Sequence, residues 1–228
     1  MALVEIRDVH KSFQRDSEKI EVFAGLTLDI EPGSFTALMG PSGSGKSTLL
    51  NLVAGLDRPT SGTVKVADAM VSAMTPAQLA GWRARHIGFV FQQFNLLPVL
   101  TAYQNVELPL LLTNLSKRER DERVRLALDV VGLGDRLRHY PRQLSGGQEQ
   151  RTSIARAIVA DPTVILLDEP TGQLDAKSSA EVLALLRRLN DEFKKTILIV
   201  THDAHAAERA KTVLHLEKGV LIEKGVKA

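Results

Sequence analysis

The chain has 228 residues, with 29 Lys and Arg against 27 Asp and Glu, so its formal net charge is +2. Its 44% hydrophobic and 25% charged residues are typical of a soluble globular protein, which excludes a disordered, collagenous or coiled-coil chain. The balanced charge argues against a nucleic-acid partner, and an aromatic content of 4% argues against a base-stacking surface. Because Cys is absent, disulfides, thiol catalysis and Cys-based zinc sites are excluded.

The sequence predicts neither a targeting segment nor a membrane span. Residues 1–13 alternate apolar and polar side chains and include acids, unlike a secretory signal peptide. A spanning helix needs about 20 consecutive apolar residues, and the apolar runs in this chain are much shorter. We therefore expect a soluble, cytosolic protein, and this expectation leaves room for service to a membrane through a partner.

The first part of the chain predicts strands, then a turn and a helix. Residues 3–7 and 21–30 alternate apolar and polar side chains, as half-buried strands do. An apolar run at 35–39 leads into a glycine-rich turn. Residues 49–54 then indicate a helix that ends before Gly55, and a turn is predicted at 58–62.

Residues from about 100 to 160 predict mainly helix. Ser116 and Glu119 form a capping-box pattern. Behind it, apolar residues recur at helical spacing until Gly132. These residues are Val124, Ala127, Leu128 and Val131. A further helix is predicted at 151–159.

The last part alternates between strand and helix. The apolar runs at 164–167 and 196–200 are typical of buried parallel strands, and a helix with one apolar face lies between them. Residues 213–216 and 220–222 indicate a hairpin around Gly219. This pattern predicts an α/β fold with a mainly parallel sheet, antiparallel strands at the start and a helical insertion at about 90–160.

A phosphate-binding motif lies between a predicted strand and a predicted helix. Residues 40–47 fit G-x-x-x-x-G-K-[ST] in full. Its glycines let backbone N–H groups converge on phosphate oxygens, while Lys46 supplies a charge for the β- and γ-phosphates and Ser47 a hydroxyl for Mg²⁺. The strand–turn–helix context favours this interpretation over a glycine-rich turn that merely begins a helix.

Two acids follow the apolar run at 164–167. Because a buried parallel strand ends at the edge of the sheet where the phosphate loop lies, Asp168 is placed to hold Mg²⁺ through water. Glu169 is then placed to act as general base towards an attacking water. Solvated acids at a strand end are the alternative, and the phosphate motif upstream favours the catalytic role.

The turn formed by Ser145, Gly146, Gly147 and Gln148 precedes a helix and fits a capping box. Its glycines expose a helix N-terminus, which binds anions, but it lacks the Lys and hydroxyl of a complete nucleotide site. One hypothesis is that it completes the phosphate loop of another subunit. An ordinary capped helix is the alternative.

Two polar residues follow other predicted core strands. His202 comes after residues 196–200, where it could bond to the γ-phosphate, the attacking water or Glu169. Gln92 follows a predicted strand at 87–91, and its amide could ligate Mg²⁺ or orient water. The next residues mix polar and apolar side chains without a clean period, so Phe94, Leu96, Leu97 and Leu100 either fill the core or form a contact patch for a partner.

Together these motifs resemble the nucleotide-binding subunit of ABC transporters. The resemblance covers essentially the whole chain and rests on GPSGSGKS at 40–47, FVFQQFNLLP at 89–98, LSGGQEQR at 144–151, VILLDEPTGQLD at 164–175 and VTHD at 200–203. It looks most like the branch that drives lipoprotein release, macrolide export and related mechanical work, although cell-division ATPases and haem or peptide exporters share much of the pattern. It implies a single P-loop ATPase domain over 1–228, with a core at about 1–90 and 160–228 and a helical subdomain at about 91–159.

The resemblance also implies roles for individual residues, with ATP and Mg²⁺ as ligands. Phe13 matches an adenine-stacking aromatic that is more often Tyr. The phosphate-binding residues are Gly40, Pro41, Ser42, Gly43, Ser44, Gly45, Lys46, Ser47 and Thr48. Gln92 senses Mg²⁺, Ser145–Gln148 contact ATP across a homodimer, and Asp175 belongs to a loop linking the two sites. Asp168 is the Mg²⁺ carboxylate, Glu169 the catalytic base and His202 a switch residue, while Phe94, Leu96, Leu97 and Leu100 contact an integral membrane permease.

Glu149 and Gln173 depart from the residues most frequent in the family, and neither removes a group from the hydrolytic set. The stretch between Gln92 and Ser145 is too short for the coiled-coil or zinc insertion of related ATPases that act on DNA. Two roles fit the residues equally: an ATPase that drives transport at the cytoplasmic face of the cell membrane, and a regulatory ATPase of a membrane complex that transports nothing. The transported molecule leaves no trace in this sequence.

Overall fold

Two β-sheets frame the computed structural model, which describes residues 1–15 and 18–223. The strands are β1 (Val4–Arg15), β2 (Glu18–Ile30), β3 (Phe35–Met39), β4 (Ser61–Val66), β5 (Ala69–Met70), β6 (Ile87–Val90), β7 (Val164–Asp168), β8 (Thr196–Val200), β9 (Thr212–Glu217) and β10 (Val220–Glu223). The helices are α1 (Lys46–Val53), α2 (Pro76–His86), α3 (Ala102–Glu107), α4 (Lys117–Val130), α5 (Gly146–Ile158), α6 (Ala176–Asp191) and α7 (Ala204–Glu208). Short 3₁₀ turns lie at Val71–Ala73, Leu108–Leu112 and Pro141–Gln143.

The larger sheet has six strands in the order β10-β9-β3-β8-β7-β6. All of its pairings are parallel except that of β9 with β10, which is the predicted hairpin. The smaller sheet, in the order β2-β1-β4-β5, is entirely antiparallel. Between β6 and β7 the described residues form α3, α4 and α5 with their connections. The predicted fold class, α/β with an antiparallel part and a helical part, is confirmed.

Burial on both faces of the larger sheet explains the apolar runs in the sequence. Along β7, Ile165 and Leu167 pack into a core shared with the helical part, whereas Val164 and Leu166 face a second core shared with α1 and the antiparallel sheet. A strand covered on both faces needs no polar side chain at alternate positions. The parallel strands therefore lie at the centre of the molecule and end at a common edge.

Several predicted boundaries differ from the structure. The helix expected from residue 49 begins at Lys46, and the one expected from 151 begins at Gly146, because glycine-rich turns start both helices directly. The strand predicted at 87–91 ends at Val90, and β4 begins inside the turn predicted at 58–62. Among the described residues, no helix combines the length and apolar character that crossing a lipid bilayer requires.

Candidate active site

The phosphate loop, residues 40–47, leaves β3 and turns directly into α1. Gly45 is the N-cap of α1 and has a φ of +102°, in the left-handed region that favours glycine. A Cβ at Gly45 would lie 2.8 Å from carbon atoms of both Phe23 and Val22. This close approach explains why glycine is needed at the N-cap, and the first N–H groups of α1, which have no partner within the helix, begin here. Such a helix start attracts anions.

Lys46 is buried and folds back over its own loop. Its Nζ donates hydrogen bonds to the carbonyl oxygens of Gly40 and Pro41, each at 2.8 Å. The ammonium therefore lies at the mouth of the loop with carbonyl partners, ready to exchange one of them for a phosphate oxygen.

A cavity of about 550 Å³ opens at this loop. Its lining combines glycine backbone, hydroxyls, an amide, two carboxylates, an imidazole and one apolar side chain. The lining residues are Val22, Ser42, Gly43, Gly45, Lys46, Ser47, Thr48, Gln92, Asp168, Glu169 and His202. The structure thus gathers the predicted phosphate-binding, metal-binding and catalytic groups around one space.

Asp168 ends β7 and accepts a hydrogen bond from the Ser47 hydroxyl. Burial raises the pKa of this carboxyl, because water that would stabilise its charge is excluded, and the Ser47 bond and the Lys46 charge oppose that rise only in part. A cation beside Asp168 would relieve the unfavourable burial. The oxygen atoms of Asp168, Ser47 and Gln92 suit Mg²⁺, which takes few protein ligands and completes its shell with water and phosphate. The described residues contain no cluster of three or more His, Cys, Asp or Glu side chains arranged to hold a metal ion.

Glu169 is held at both carboxylate oxygens. Gln92 Nε2 donates to Oε2 at 3.1 Å, and His202 Nδ1 lies 2.9 Å from Oε1, within hydrogen-bonding distance. Glu169 has a φ of +45°, uncommon for a residue other than glycine, and its N–H donates to the Val200 carbonyl at 2.9 Å. This backbone turn aims the carboxylate into the cavity.

Strand order explains why these three side chains meet. Gln92 follows β6, Glu169 follows β7 and His202 follows β8, and these strands are neighbours in the sheet. Because parallel strands end at the same edge, residues far apart in sequence come within hydrogen-bonding distance.

The signature turn, Ser145–Gln148, contributes no residue to the described lining of the cavity. Ser145 caps α5 in a reciprocal capping box with Gln148. A Cβ on Gly147 would lie 2.7 Å from the Ser178 Oγ, and Ser178 itself donates to the Asp175 carboxylate at 2.9 Å. The signature turn and the Asp175 loop are therefore in contact with each other, and neither lines the described cavity at the phosphate loop.

The family model for ABC transporters matches residues 23–172, which span the phosphate loop, the signature turn and the Asp168–Glu169 pair. This chain belongs to the ABC transporter family. It is an ATP-hydrolysing ABC cassette. The protein is 47% identical over 223 residues to the macrolide export ATP-binding/permease protein MacB of Rhodopirellula baltica, covering 97% of this chain and 33% of that one. It is 46% identical to an uncharacterized ABC transporter ATP-binding protein, YknY of Bacillus subtilis, covering 96% of this chain and 95% of that one.

Solved ABC cassettes have the same fold. The dimeric post-hydrolysis structure of the ATP-binding cassette MJ0796 with ADP and Pi has a TM-score of 0.88 and 40% identity, covering 97% of this chain and 99% of that one. The chain thus spans about a third of the MacB relative and nearly all of YknY and MJ0796.

The remaining predicted residues of this ABC cassette lie outside the cavity. Phe13 on β1 is 43% exposed, with the Lys11 ammonium 4.5 Å from its ring centre. In the patch at 94–100, Leu97 is 46% exposed, while Phe94, Leu96 and Leu100 are partly buried. Leu97 is therefore too exposed to fill the core, which was one of the two interpretations of this patch.

Sequence reasoning missed two side chains that hold this patch. Arg156 on α5 donates to the carbonyl oxygens of Asn95 and Phe94 at 2.6 and 2.9 Å. Asn105 on α3 is fully buried, accepts from the Leu97 N–H at 2.7 Å and donates to the Leu97, Leu100 and Thr101 carbonyls. Both bond to backbone, so no motif in the patch itself reveals them.

Proposed function

We propose that two copies of this cassette bind two ATP molecules between them, hydrolyse them with the groups around Glu169, and thereby drive a membrane permease. The observation that carries the proposal is the carboxylate of Glu169, bridged by Gln92 and His202 within the cavity of the phosphate loop. A general base needs this placement beside bound phosphates.

The residues of the cavity divide the chemistry of hydrolysis among them. The start of α1 and the Lys46 ammonium bind the phosphates and offset their charge. Glu169 accepts a proton from the water that attacks the γ-phosphorus; the bond from that phosphorus to the bridging oxygen of the β-phosphate breaks, and ADP and phosphate leave. Gln92 and His202 keep the carboxylate oriented before the substrate arrives.

Ser47, Asp168 and Gln92 are the residues that would hold Mg²⁺. Bound there, the ion supplies positive charge to the phosphate oxygens. The half-buried Asp168 carboxyl, whose pKa is raised by burial in the protein alone, supports a cation at this position.

The dimer supplies what one copy lacks. The signature turn exposes a helix start, and none of its residues lines the described cavity at the phosphate loop of its own chain, so we place its anion-binding end against the nucleotide of a second copy. The related cassette MJ0796 has been solved as a dimer. Asp175, which caps α6 and contacts the signature turn through Ser178, links the two sites in this arrangement.

The permease partner is supported by the patch at 94–100 and by a relative. The relative MacB is named as an ATP-binding/permease protein, and this chain covers 33% of it. In this cassette the patch presents Leu97 and Val99 to solvent, and a groove of about 730 Å³ has Thr101, next in sequence to the patch, among its lining residues, together with Tyr103 and Tyr140. A short helix of a permease can lie in such a groove with its apolar face on the patch.

Arg156 connects the patch at 94–100 to the helix that begins at the signature turn. It lies on the helix that begins at the signature turn and bonds to the backbone of the patch, so a movement of the signature turn towards ATP pulls on the same backbone. The cassette would then work at the cytoplasmic face of the cell membrane, attached through its permease. The MacB relatives favour export as the transport direction.

Replacing Glu169 with Gln tests the proposal. We expect steady-state ATPase activity to fall by about 10²–10⁴-fold, the usual contribution of a general base, while ATP binding persists. Glu122→Gln, which changes an exposed carboxylate paired with Arg118 on α4, is the matched control and should hydrolyse ATP like the unaltered protein. Activity of Glu169→Gln within a few-fold of the control would contradict the assignment.

A further inference from the structure

Lys11, a buried lysine on β1, connects the two ends of the proposed nucleotide site. It is 7% exposed, and three groups surround its ammonium. Nζ donates to Asp57 Oδ1 at 2.7 Å and to the Arg58 carbonyl at 2.8 Å, and it lies 4.5 Å from the centre of the Phe13 ring. The ammonium therefore has two hydrogen-bond acceptors and one aromatic ring around it.

The Asp57 end of this arrangement is tied to the phosphate-loop helix. The N–H groups of Leu56 and Asp57 donate to the Asn51 carbonyl near the end of α1, at 2.9 and 3.2 Å. Asp57 Oδ1 also accepts from the Arg58 N–H at 2.7 Å. The carboxylate that anchors Lys11 is therefore fixed to the helix whose first turn forms the phosphate loop.

The Phe13 end lies towards the cavity. Phe13 pairs across the strands with Ile20, and Val22, which lies two residues further along β2 at the register shift between the Ser12–Glu21 and Lys11–Phe23 pairs, lines the cavity. The ring remains 43% exposed with the ammonium over one of its faces, which leaves surface for a stacking base.

We propose that Lys11 is a positioning residue for nucleotide recognition: it holds the Phe13 ring at a fixed place relative to the phosphate loop, so that a nucleoside diphosphate or triphosphate meets a preformed base platform. This inference rests on the proposed role of Phe13. A side chain ordered before binding loses less conformational freedom when the ligand arrives, and a cation over an aromatic face is a stabilising contact. Lys11 itself touches no ligand.

The experiment compares a ligand that has a base with one that lacks it. Binding of Mg²⁺–ADP and of Mg²⁺–pyrophosphate is measured by titration calorimetry for the unaltered cassette and its variants. In Lys11→Met we expect ADP affinity to fall by about 3- to 10-fold and pyrophosphate affinity to stay within about 2-fold. Lys11→Arg should restore most of the ADP affinity, since it keeps a cation over the ring. Lys65→Met is the matched control, because Lys65 pairs with Glu5 in the same sheet and should change neither affinity.

A double-mutant cycle with Phe13→Ala separates the two proposals. If Lys11 acts through the ring, Lys11→Met has little further effect on ADP binding once Phe13 is Ala. Additive effects, equal losses for ADP and pyrophosphate, or no loss at all would overturn the role of Lys11. Unchanged ADP affinity in Phe13→Ala alone would instead overturn base stacking at Phe13.

Removing the buried cation leaves the Asp57 carboxylate without its charged partner, so Lys11→Met could fail to fold. Lys11→Gln keeps an amide donor for Asp57, removes the cation, and should show the same selective loss of ADP affinity. If neither variant is soluble, Asp57→Asn leaves Lys11 in place and weakens its anchor, and it must shift the ratio of ADP to pyrophosphate affinity in the same direction. An unchanged ratio there overturns the inference.

Discussion

Substituting Leu97 with Glu tests whether the patch formed by residues 94–100 is a surface for a partner or part of the protein core. A fully buried Leu side chain stabilises a fold by about 1.5–3 kcal/mol relative to an exposed one. Leu97 is 46% exposed, so Glu should forfeit roughly half of that, about 0.8–1.5 kcal/mol, while its carboxylate reaches water. In a chain of this size the melting temperature should fall by about 2–6 °C.

The assay pairs thermal unfolding with membrane binding. Leu97→Glu should keep its ATPase activity but lose sedimentation with inverted membrane vesicles from the source cells, because a charge replaces an apolar contact with the permease. Leu110→Glu is the matched control: Leu110 is 0% exposed, and an unpaired carboxylate there should cost several kcal/mol, roughly, and unfold the chain. If Leu97→Glu melts as early as Leu110→Glu, the residue belongs to the core. If it binds vesicles normally, Leu97 does not contact the permease.

Two further substitutions probe the signature turn and the metal-facing carboxyl. Gly147→Ala should lower both the unfolding free energy and the ATPase activity, because the new Cβ would lie 2.7 Å from the Ser178 Oγ. The control is Gly81→Ala in α2, where a Cβ would have no neighbour within 4 Å, and it should raise the unfolding free energy measured in urea by about 0.5–1 kcal/mol. Equal stability of the two variants would refute the close contact at Gly147. Burial raises the pKa of Asp168 above its value in the unfolded chain, so the folded protein binds this proton more tightly and loses stability as the pH rises from the unfolded pKa through the folded pKa. Asp168→Asn should therefore stabilise the nucleotide-free cassette more at pH 7 than at pH 4. Destabilisation by Asp168→Asn at pH 7 would contradict the predicted direction of the pKa shift.

The sequence predicts the central strands well because their physical situation leaves an unambiguous pattern. Both faces of β7 and β8 are covered, so each strand contains a run of four apolar residues with polar residues after it. Glycines and acids at the ends of such strands mark the edge of the sheet. The groups around the cavity could therefore be proposed one at a time from the sequence.

Their arrangement could not be predicted in the same way. Nothing local to Gln92, Glu169 or His202 reveals that β6, β7 and β8 are neighbours, and the bonds among the three side chains depend on that order. The contact of Gly147 with Ser178 is equally non-local. So are the bonds from Arg156 to the patch. The bonds that Asn105 donates to the patch are local in sequence, but they use backbone carbonyls, which every residue possesses, so no sequence pattern marks them.

Helix α2 was missed although a signal was present. Thr75 and Gln78 form a capping box with Pro76 at the first helical position, the same type of pattern that located α4. Only Leu79 and Trp82 of this helix are buried, so its apolar face is too short to show a clear period. Strand β4 was hidden for a related reason, since Ser61 and Gly62 at its start favour a turn.

The central claim is that two copies of the cassette share each nucleotide site, and ATP-dependent dimer formation tests it most directly. In size-exclusion chromatography with ATP, Glu169→Gln should elute as a dimer, and adding Ser145→Arg should return it to a monomer that still binds ATP. Adding Ser116→Arg instead removes an equivalent capping box from α4 and should leave the dimer intact. An ATP-dependent dimer that survives Ser145→Arg would contradict the claim that the signature turn completes the site of the second copy.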